Sequence, residues 1–302
     1  MKNKDLVIVG SAMMDMTAKS AKLPLPGETV LGNLFVMGPG GKGANQAVAA
    51  QRLGGDVCFI TKLGKDTNGE LIKKRYEEEG LDTSHLLYSD THSGVALILV
   101  DEKGENCITV APGANNDVTI EDIEAVAPVI QSARYLVVQL EIPIKATMRA
   151  VEIADEAGVK VIFNPAPACA IPDEIFPHIY LITPNETEVA AITGMPITSD
   201  PEELKGAVKR LKDKGVKNVI VTLGSHGSLV CEQGKEQVLV PVEKCKAIDT
   251  TGAGDTFTGA ICVALAEGKP LLEAAQFATR ACGLAVQRMG AMAGIPFRKE
   301  LE

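Results

Sequence analysis

Asp249-Thr250-Thr251-Gly252-Ala253-Gly254-Asp255-Thr256-Phe257 sets a carboxylate directly behind small, amide-exposing residues at the head of an apolar stretch. Ala260, Ile261, Val263, Ala264 and Leu265 continue that stretch as a buried helix, so the Gly-Ala-Gly turn is expected at its N-terminus, with free N–H groups. Those amides and the positive end of the helix dipole favour a phosphate oxygen, and glycine permits the dihedrals such a nest needs. Asp255 then stands where it can accept a proton from an attacking hydroxyl. A first-turn acid behind a plain loop would explain a bare Gly-x-Gly-Asp. The flanking Asp249, Thr250, Thr251 and Thr256 make the pattern more specific.

A second glycine run, Gly38-Pro39-Gly40-Gly41-Lys42-Gly43-Ala44-Asn45-Gln46, opens another helix carrying Ala47, Val48, Ala49, Ala50 and Leu53. Its Gly-x-Gly-x-x-Gly spacing alone is weak evidence for a dinucleotide, and no Ser or Thr follows Lys42, so it is not a Walker A loop. Backbone amides and the Asn45 side chain are expected to meet a compact polyhydroxylated ligand here. A merely structural loop is the alternative.

Short apolar runs alternate with amphipathic stretches along the chain. Leu6 to Val9, Val57 to Ile60, Tyr135 to Val138, Val159 to Phe163, Tyr180 to Ile182 and Val219 to Leu223 are expected to be buried strands. Between them Asn68 to Glu79, Lys145 to Ala157 and Glu202 to Lys214 have helical spacing. The alternation implies an α/β fold whose parallel sheet is covered by helices on both faces. Residues 14–40 and 92–111 break the rhythm, the latter with strand-like runs Val95 to Val100 and Cys107 to Ala111 around a turn.

With 302 residues and 46% hydrophobic content the chain can bury a large core, and a net charge of −9 argues against a general nucleic-acid or membrane surface. The seven cysteines are scattered without a C-x-x-C pair, which suits a reduced cytoplasm. The four histidines share no helical face, so a histidine metal site is not expected. Met1-Lys2-Asn3-Lys4-Asp5 leads into an apolar run too short for a signal peptide or membrane span.

Together the early Gly-Gly-Lys-Gly-Ala-Asn and the late Asp-Thr-x-Gly-Ala-Gly-Asp-Thr-Phe resemble the ribokinase-like sugar kinases, the phosphofructokinase-B family. Asn185-Glu186-Thr187-Glu188 is similar to that family's Asn-x-x-Glu element, and Thr222-Leu223-Gly224-Ser225-His226-Gly227 to its nucleotide loop. The resemblance runs from about Gly10 to Gly294. It implies one sugar-kinase domain over 1–302, a three-layer α/β/α Rossmann-like sheet, and a small β-sheet lid from about 14–40 and 92–111 that excludes water from the site.

The resemblance also implies roles. Asp255 deprotonates the attacking hydroxyl, and the amides of Gly252, Ala253 and Gly254 stabilise the transferring phosphoryl group. Mg2+ arrives with ATP, with Asn185 near the phosphates and Glu188 organising the metal's water. A capping box at Asn185 and Glu188 is an equal reading of those residues. Thr222, Leu223, Gly224, Ser225, His226 and Gly227 wrap the nucleotide with Gly254, and Thr279 lies near adenine. A K+ site would involve Asp249, Thr251, Ala285, Arg288, Gly290 and Gly294, where related proteins commonly carry a serine in place of Gly294.

For the sugar, Asp15, Gly41, Lys42, Gly43, Ala44, Asn45 and Glu141 match contacting positions, but Met13 stands where the family has asparagine. A thioether offers a sugar 2-hydroxyl almost no hydrogen bond, so burying that hydroxyl unpaired should cost about 1–3 kcal/mol. The expected activity is therefore phosphorylation of the 5-hydroxyl of 2-deoxy-D-ribose (deoxyribokinase), with ribokinase activity on D-ribose as the alternative. A nucleoside kinase and a catalytically inactive sugar-binding regulator stand further back. A homodimer paired through lid strands is expected from the family.

Overall fold

The protein is described here by a computed structural model covering residues 4–302. Met1, Lys2 and Asn3, the start of the N-terminal stretch read above, lie outside the described residues. In chain order the strands are β1 (Leu6–Val9), β2 (Met13–Ser20), β3 (Gly32–Gly40), β4 (Val57–Ile60), β5 (Lys62–Gly64), β6 (Leu87–Ser89) and β7 (Gly94–Val100). They continue with β8 (Asn106–Ala111), β9 (Tyr135–Val138), β10 (Lys160–Phe163), β11 (Ile179–Ile182), β12 (Asn218–Thr222), β13 (Ser228–Cys231) and β14 (Val238–Val240). The helices are α1 (Lys42–Arg52), α2 (Thr67–Glu78), α3 (Ile120–Ala125), α4 (Ala127–Gln131), α5 (Ile144–Glu156), α6 (Glu186–Thr193), α7 (Pro201–Asp213), α8 (Ala253–Ala266), α9 (Leu271–Ala285) and α10 (Ala291–Gly294).

Eight strands form the central sheet in the order β14-β13-β12-β11-β10-β9-β1-β4. From β4 to β12 the pairings are parallel, while β13 and β14 return antiparallel at one edge. This edge departs from the parallel sheet expected. The turn from Leu223 to Gly227 is too short for a crossover, so Ser228 comes back opposite Thr222.

Alternation along each strand supplies both faces of the sheet. Leu6, Ile8, Val137, Ile162 and Leu181 pack under α1, α8 and α9, whereas Val7, Val9, Leu136, Val138 and Ile182 pack under α5 and α7. The result is a three-layer α/β/α body. Among the described residues no helix is long and apolar enough to cross a membrane.

A separate four-stranded sheet runs β3-β2-β7-β8, and β5 and β6 make a two-stranded one. The stretch 14–40 that breaks the rhythm thus falls in two long strands, β2 and β3, which pair antiparallel from Met13↔Gly40 outward. Because β3 ends where α1 begins, and β2 follows Gly10 at the tip of β1, this sheet emerges from the carboxyl end of the central one. That end is where open α/β sheets collect ligands.

Candidate active site

Helix α1 starts at Gly41, whose φ of 91° is a left-handed value open to glycine. Its first turn is stitched to the β1 tip: the Ser11 carbonyl accepts from the Ala44 N–H at 2.9 Å. The Glu141 carboxylate accepts from the Ser11 hydroxyl at 2.5 Å and from the Lys42 N–H at 2.8 Å. An acid at a helix N-terminus is favoured by the helix dipole. Asp15 projects from β2 toward the same space, its pKa pushed up to about 6 by burial and by the neighbouring Glu141 and Asp255. Burial lowers the Lys42 ammonium, but Asp255, Glu141 and Glu188 outweigh it and hold that group above the usual lysine value.

Met13 is buried and shares the Asp15 face of β2, since the alternate residues Met14 and Met16 pack into the core. Ala44 is not brought to this space. Its methyl lies in the core and its N–H is spent on Ser11, so the first turn of α1 offers Lys42 and Asn45 instead.

Helix α8 begins after Gly252, at φ 74°. A Cβ there would stand 3.0 Å from the Ala291 Cβ, so glycine serves both the backbone and the packing. The Ala253 N–H donates to the Thr250 carbonyl at 3.2 Å. This corrects the expectation that the Ala253 amide is free: the turn uses it, and the open N–H groups at this terminus are those of Gly252, Gly254 and Asp255.

Asp255 is 6% exposed, and each carboxylate oxygen accepts one side-chain amide, from Asn45 at 3.0 Å and from Gln46 at 3.0 Å. Burial raises its pKa, while Lys42 and the two amides pull the other way. One turn along α9 from the buried Thr279, the Cys282 thiol donates to the Ala253 carbonyl at 3.1 Å.

Beside this terminus, Asp249 accepts from the Thr251 N–H and hydroxyl at 2.9 and 2.6 Å and from the Gly290 N–H at 2.8 Å. Burial raises its pKa, but these three donors prevail and hold it below the usual value. A Cβ on Gly294 would lie 3.0 Å from the Ala285 carbonyl oxygen and 3.6 Å from that of Arg288, so two carbonyls converge there. The Arg288 guanidinium turns away to Glu300, leaving only its backbone to this loop. A carboxylate with converging carbonyls offers oxygen donors of the kind that hard cations take. The loop is anchored from outside: Arg52 donates to the carbonyls of Met292 and Ile295 at 3.0 and 2.7 Å, and pairs at 2.6 Å with Glu79 in a buried bridge.

Asn185 and Glu188 form a reciprocal capping box on α6, with bonds of 2.8 and 2.9 Å. Burial raises the Glu188 carboxyl despite the Asn185 N–H and the nearby Lys42. The pair therefore caps a helix and also faces the Lys42 and Asp255 space. Thr222 ends β12, followed by the exposed turn Gly224, Ser225 and His226, and by Gly227 at φ 98°. Leu223 differs from its neighbours in this loop. Its side chain belongs to the core because its place in the turn points it under the sheet.

The pfkB family carbohydrate kinase model matches residues 3–298. The chain belongs to the pfkB family of carbohydrate kinases. It is 40% identical to a ribokinase of Haemophilus influenzae over 299 residues, 98% of this chain and 97% of that one. A deoxyribokinase of Salmonella typhi is 37% identical over 257 residues, 84% of this chain and 83% of its own. The structure of an Arabidopsis thaliana ribokinase complexed with ribose and ATP superposes with a TM-score of 0.91 at 34% identity, covering 99% of this chain and 97% of that one.

On this pfkB scaffold Asp15, Lys42, Asn45 and Glu141 gather around Asp255 at the α8 terminus, and Glu188, capped with Asn185, faces Lys42 and Asp255 from α6. Sequence reasoning missed Ser11, Gln46, Gln139 and Asn164, which are polar, buried and bonded around the carboxylates. Gln46 was in view inside the glycine run, but without a spacing rule to single it out. Among the described residues no three His, Cys, Asp or Glu side chains cluster as a metal cage.

Proposed function

We propose that the protein is an ATP-dependent pentose kinase that phosphorylates the 5-hydroxyl of a free sugar. The observation that carries this reading is the buried Asp255 carboxylate, held on both oxygens beside unspent amides at the head of α8. Asp15, Gly41, Lys42, Gly43, Asn45 and Glu141 hold the sugar. Asp255 takes the proton of its 5-hydroxyl, and burial makes that carboxylate a stronger base than a solvated aspartate. The N–H groups of Gly252 and Gly254 stabilise charge on the transferring phosphoryl group. Thr222, Gly224, Ser225, His226, Gly227 and Thr279 embrace the nucleotide.

Mg2+ arriving with ATP supplies charge neutralisation at the phosphates, and Asn185 and Glu188 stand ready to order its water shell. K+ would be held by Asp249 and Thr251 with backbone oxygens of Ala285, Arg288 and Gly290, near Gly294. The β3-β2-β7-β8 sheet serves as a lid over the sugar, and its exposed Phe35, Val36, Leu97 and Ile108 pair it with a second copy in a homodimer. Use of ATP and reduced cysteines fit a cytoplasmic enzyme.

D-Ribose is the leading substrate. Ribokinases match nearly the whole chain, whereas the deoxyribokinase matches a shorter span, and this reverses the order drawn from Met13 alone. 2-Deoxy-D-ribose stands as a second reading on one observation, the thioether of Met13 on the Asp15 face of β2. The test is kcat/KM for both pentoses with ATP, Mg2+ and K+. Preference for ribose supports the first reading, and preference for 2-deoxyribose replaces it with the second. Turnover of neither ends the pentose reading in favour of a nucleoside kinase or a non-catalytic sugar-binding regulator.

A further inference from the structure

We infer that Gln46 is the positioning residue for the base Asp255, oriented by a relay whose polarity is set by one backbone carbonyl, that of Thr183. The inference rests on the kinase reading above, in which Asp255 takes the proton.

The relay has a single consistent direction. The Thr183 carbonyl can only accept, so the group facing it at 3.0 Å is the Asn164 side-chain N–H2. That turns the Asn164 Oδ1 toward Gln46, whose Nε2 donates to it at 3.0 Å. The second proton on the same Nε2 goes to Asp255 Oδ1, also at 3.0 Å. The Gln46 Oε1 in turn accepts from Gln139 Nε2 at 2.6 Å. Flipping the Gln46 amide would set its oxygen against two other oxygens and its nitrogen against a donor. The protein even clears space for the relay: a Cβ on Gly10 would come within 1.9 Å of Gln139 Oε1.

Gln46 thus spends both of its N–H donors and one lone pair of Oε1 inside the protein, leaving no donor for the sugar. Its sequence neighbour Asn45 takes the other Asp255 oxygen. Between them they fix the carboxylate plane, leaving the remaining lone pairs for the substrate hydroxyl. Both donors favour the ionised form. The other charged or titratable groups facing Asp255 are Lys42 on α1, Glu141 beyond β9, Asp15 on β2, Glu188 on α6 and Cys282 on α9. All of them are untouched by changes at Gln46 or Gln139.

The experiment compares wild type with Gln46→Leu and Gln139→Leu, measuring kcat, pentose KM, the pH profile of kcat and thermal stability. Loss of a hydrogen bond to a charged group predicts a kcat about 10- to 100-fold lower in Gln46→Leu. Pentose KM should stay within about threefold. The acid limb of kcat should move up by about one pH unit, because the ionised base has lost a donor. Gln139→Leu, which never touches Asp255, should move the limb in the same direction by less.

The same titration is read without turnover by 13C NMR of aspartate-labelled, ligand-free protein, with the Asp255 signal assigned by its loss in Asp255→Asn. A lowered melting temperature with an unmoved acid limb and an unmoved carboxyl titration overturns the inference. Should Gln46→Leu fail to fold, the Gln139→Leu readings decide it in the same way. If wild type phosphorylates no pentose but the NMR shift appears, the kinase reading fails while the positioning role stands.

Discussion

At the head of α8 every oxygen of Asp255 meets a buried amide, and α1, the β10 end and α8 are tied into one polar lattice. On the β3-β2-β7-β8 sheet the arrangement is reversed: Phe35 and Leu97 are 63% and 51% exposed. An apolar hollow of about 370 Å3, lined by Met16, Ala18, Phe35, Leu97, Leu99 and Cys107, lies open on it, away from the α8 terminus. One region is held in place by its own contacts before any ligand arrives. The other leaves apolar side chains in contact with solvent. The comparison teaches where precision resides: the proposed base sits on the tightly bonded body, and under the kinase reading exclusion of water falls to the separate sheet.

The sharpest way to break this division is at Asp255. Asp255→Asn should lower kcat by about 10^2- to 10^4-fold while pentose affinity by calorimetry changes little. Undiminished turnover would remove the base. A smaller loss is expected from Gly252→Ala, which forces a side chain into a left-handed conformation and toward Ala291. It should lower stability by about 1–2 kcal/mol and reduce kcat roughly tenfold or more, read by denaturation and steady-state kinetics.

On the exposed sheet, Phe35→Asp should shift the protein to monomer in light scattering while leaving the pH profile of kcat unchanged. A dimer that persists would place the pairing surface elsewhere.

Asp15 joins the two regions, since it lies on β2 but faces the α1 and Asp255 space. Its pKa rises from 3.8 to about 6 on folding, so the folded state binds the proton more tightly and stability falls as pH climbs between those values. Asp15→Asn should therefore raise the melting temperature above pH ~6, by at most about 3 kcal/mol in stability. In wild type, pentose KM should increase as pH drops below ~6, where Asp15 protonates and loses acceptor capacity. A flat KM would mean that Asp15 does not bind sugar in its ionised form.

Much of the rigid body was legible because its signals are local. The runs at Leu6–Val9, Val57–Ile60 and Tyr135–Val138 are strands with those limits, and the amphipathic stretches correspond to α2, α5 and α7 within a residue or so. The glycines before α1 and α8 mark helix starts that physics requires to be small and polar. The antiparallel edge was not legible, because Leu223 belongs at once to an apolar strand run and to the turn that reverses the chain.

The strand nature of β2 came from the family resemblance and not from its residues Met-Met-Asp-Met-Thr-Ala-Lys-Ser, in which apolar and polar residues do not alternate cleanly. The amide relay was invisible for a different reason. Gln46, Gln139, Asn164 and Asp255 are drawn from distant points of the chain, and a lone glutamine has no meaning until the strand ends are brought together. The same holds for the Arg52–Glu79 bridge that anchors the Asp249 loop.

The most direct test of the central claim is 31P NMR of the product formed by the purified protein from ATP, Mg2+, K+ and D-ribose, run beside 2-deoxy-D-ribose. The account predicts a phosphomonoester on the 5-carbon that is lost in Asp255→Asn. A phosphate on the anomeric carbon, or ATP consumed without a phosphorylated pentose, would contradict it.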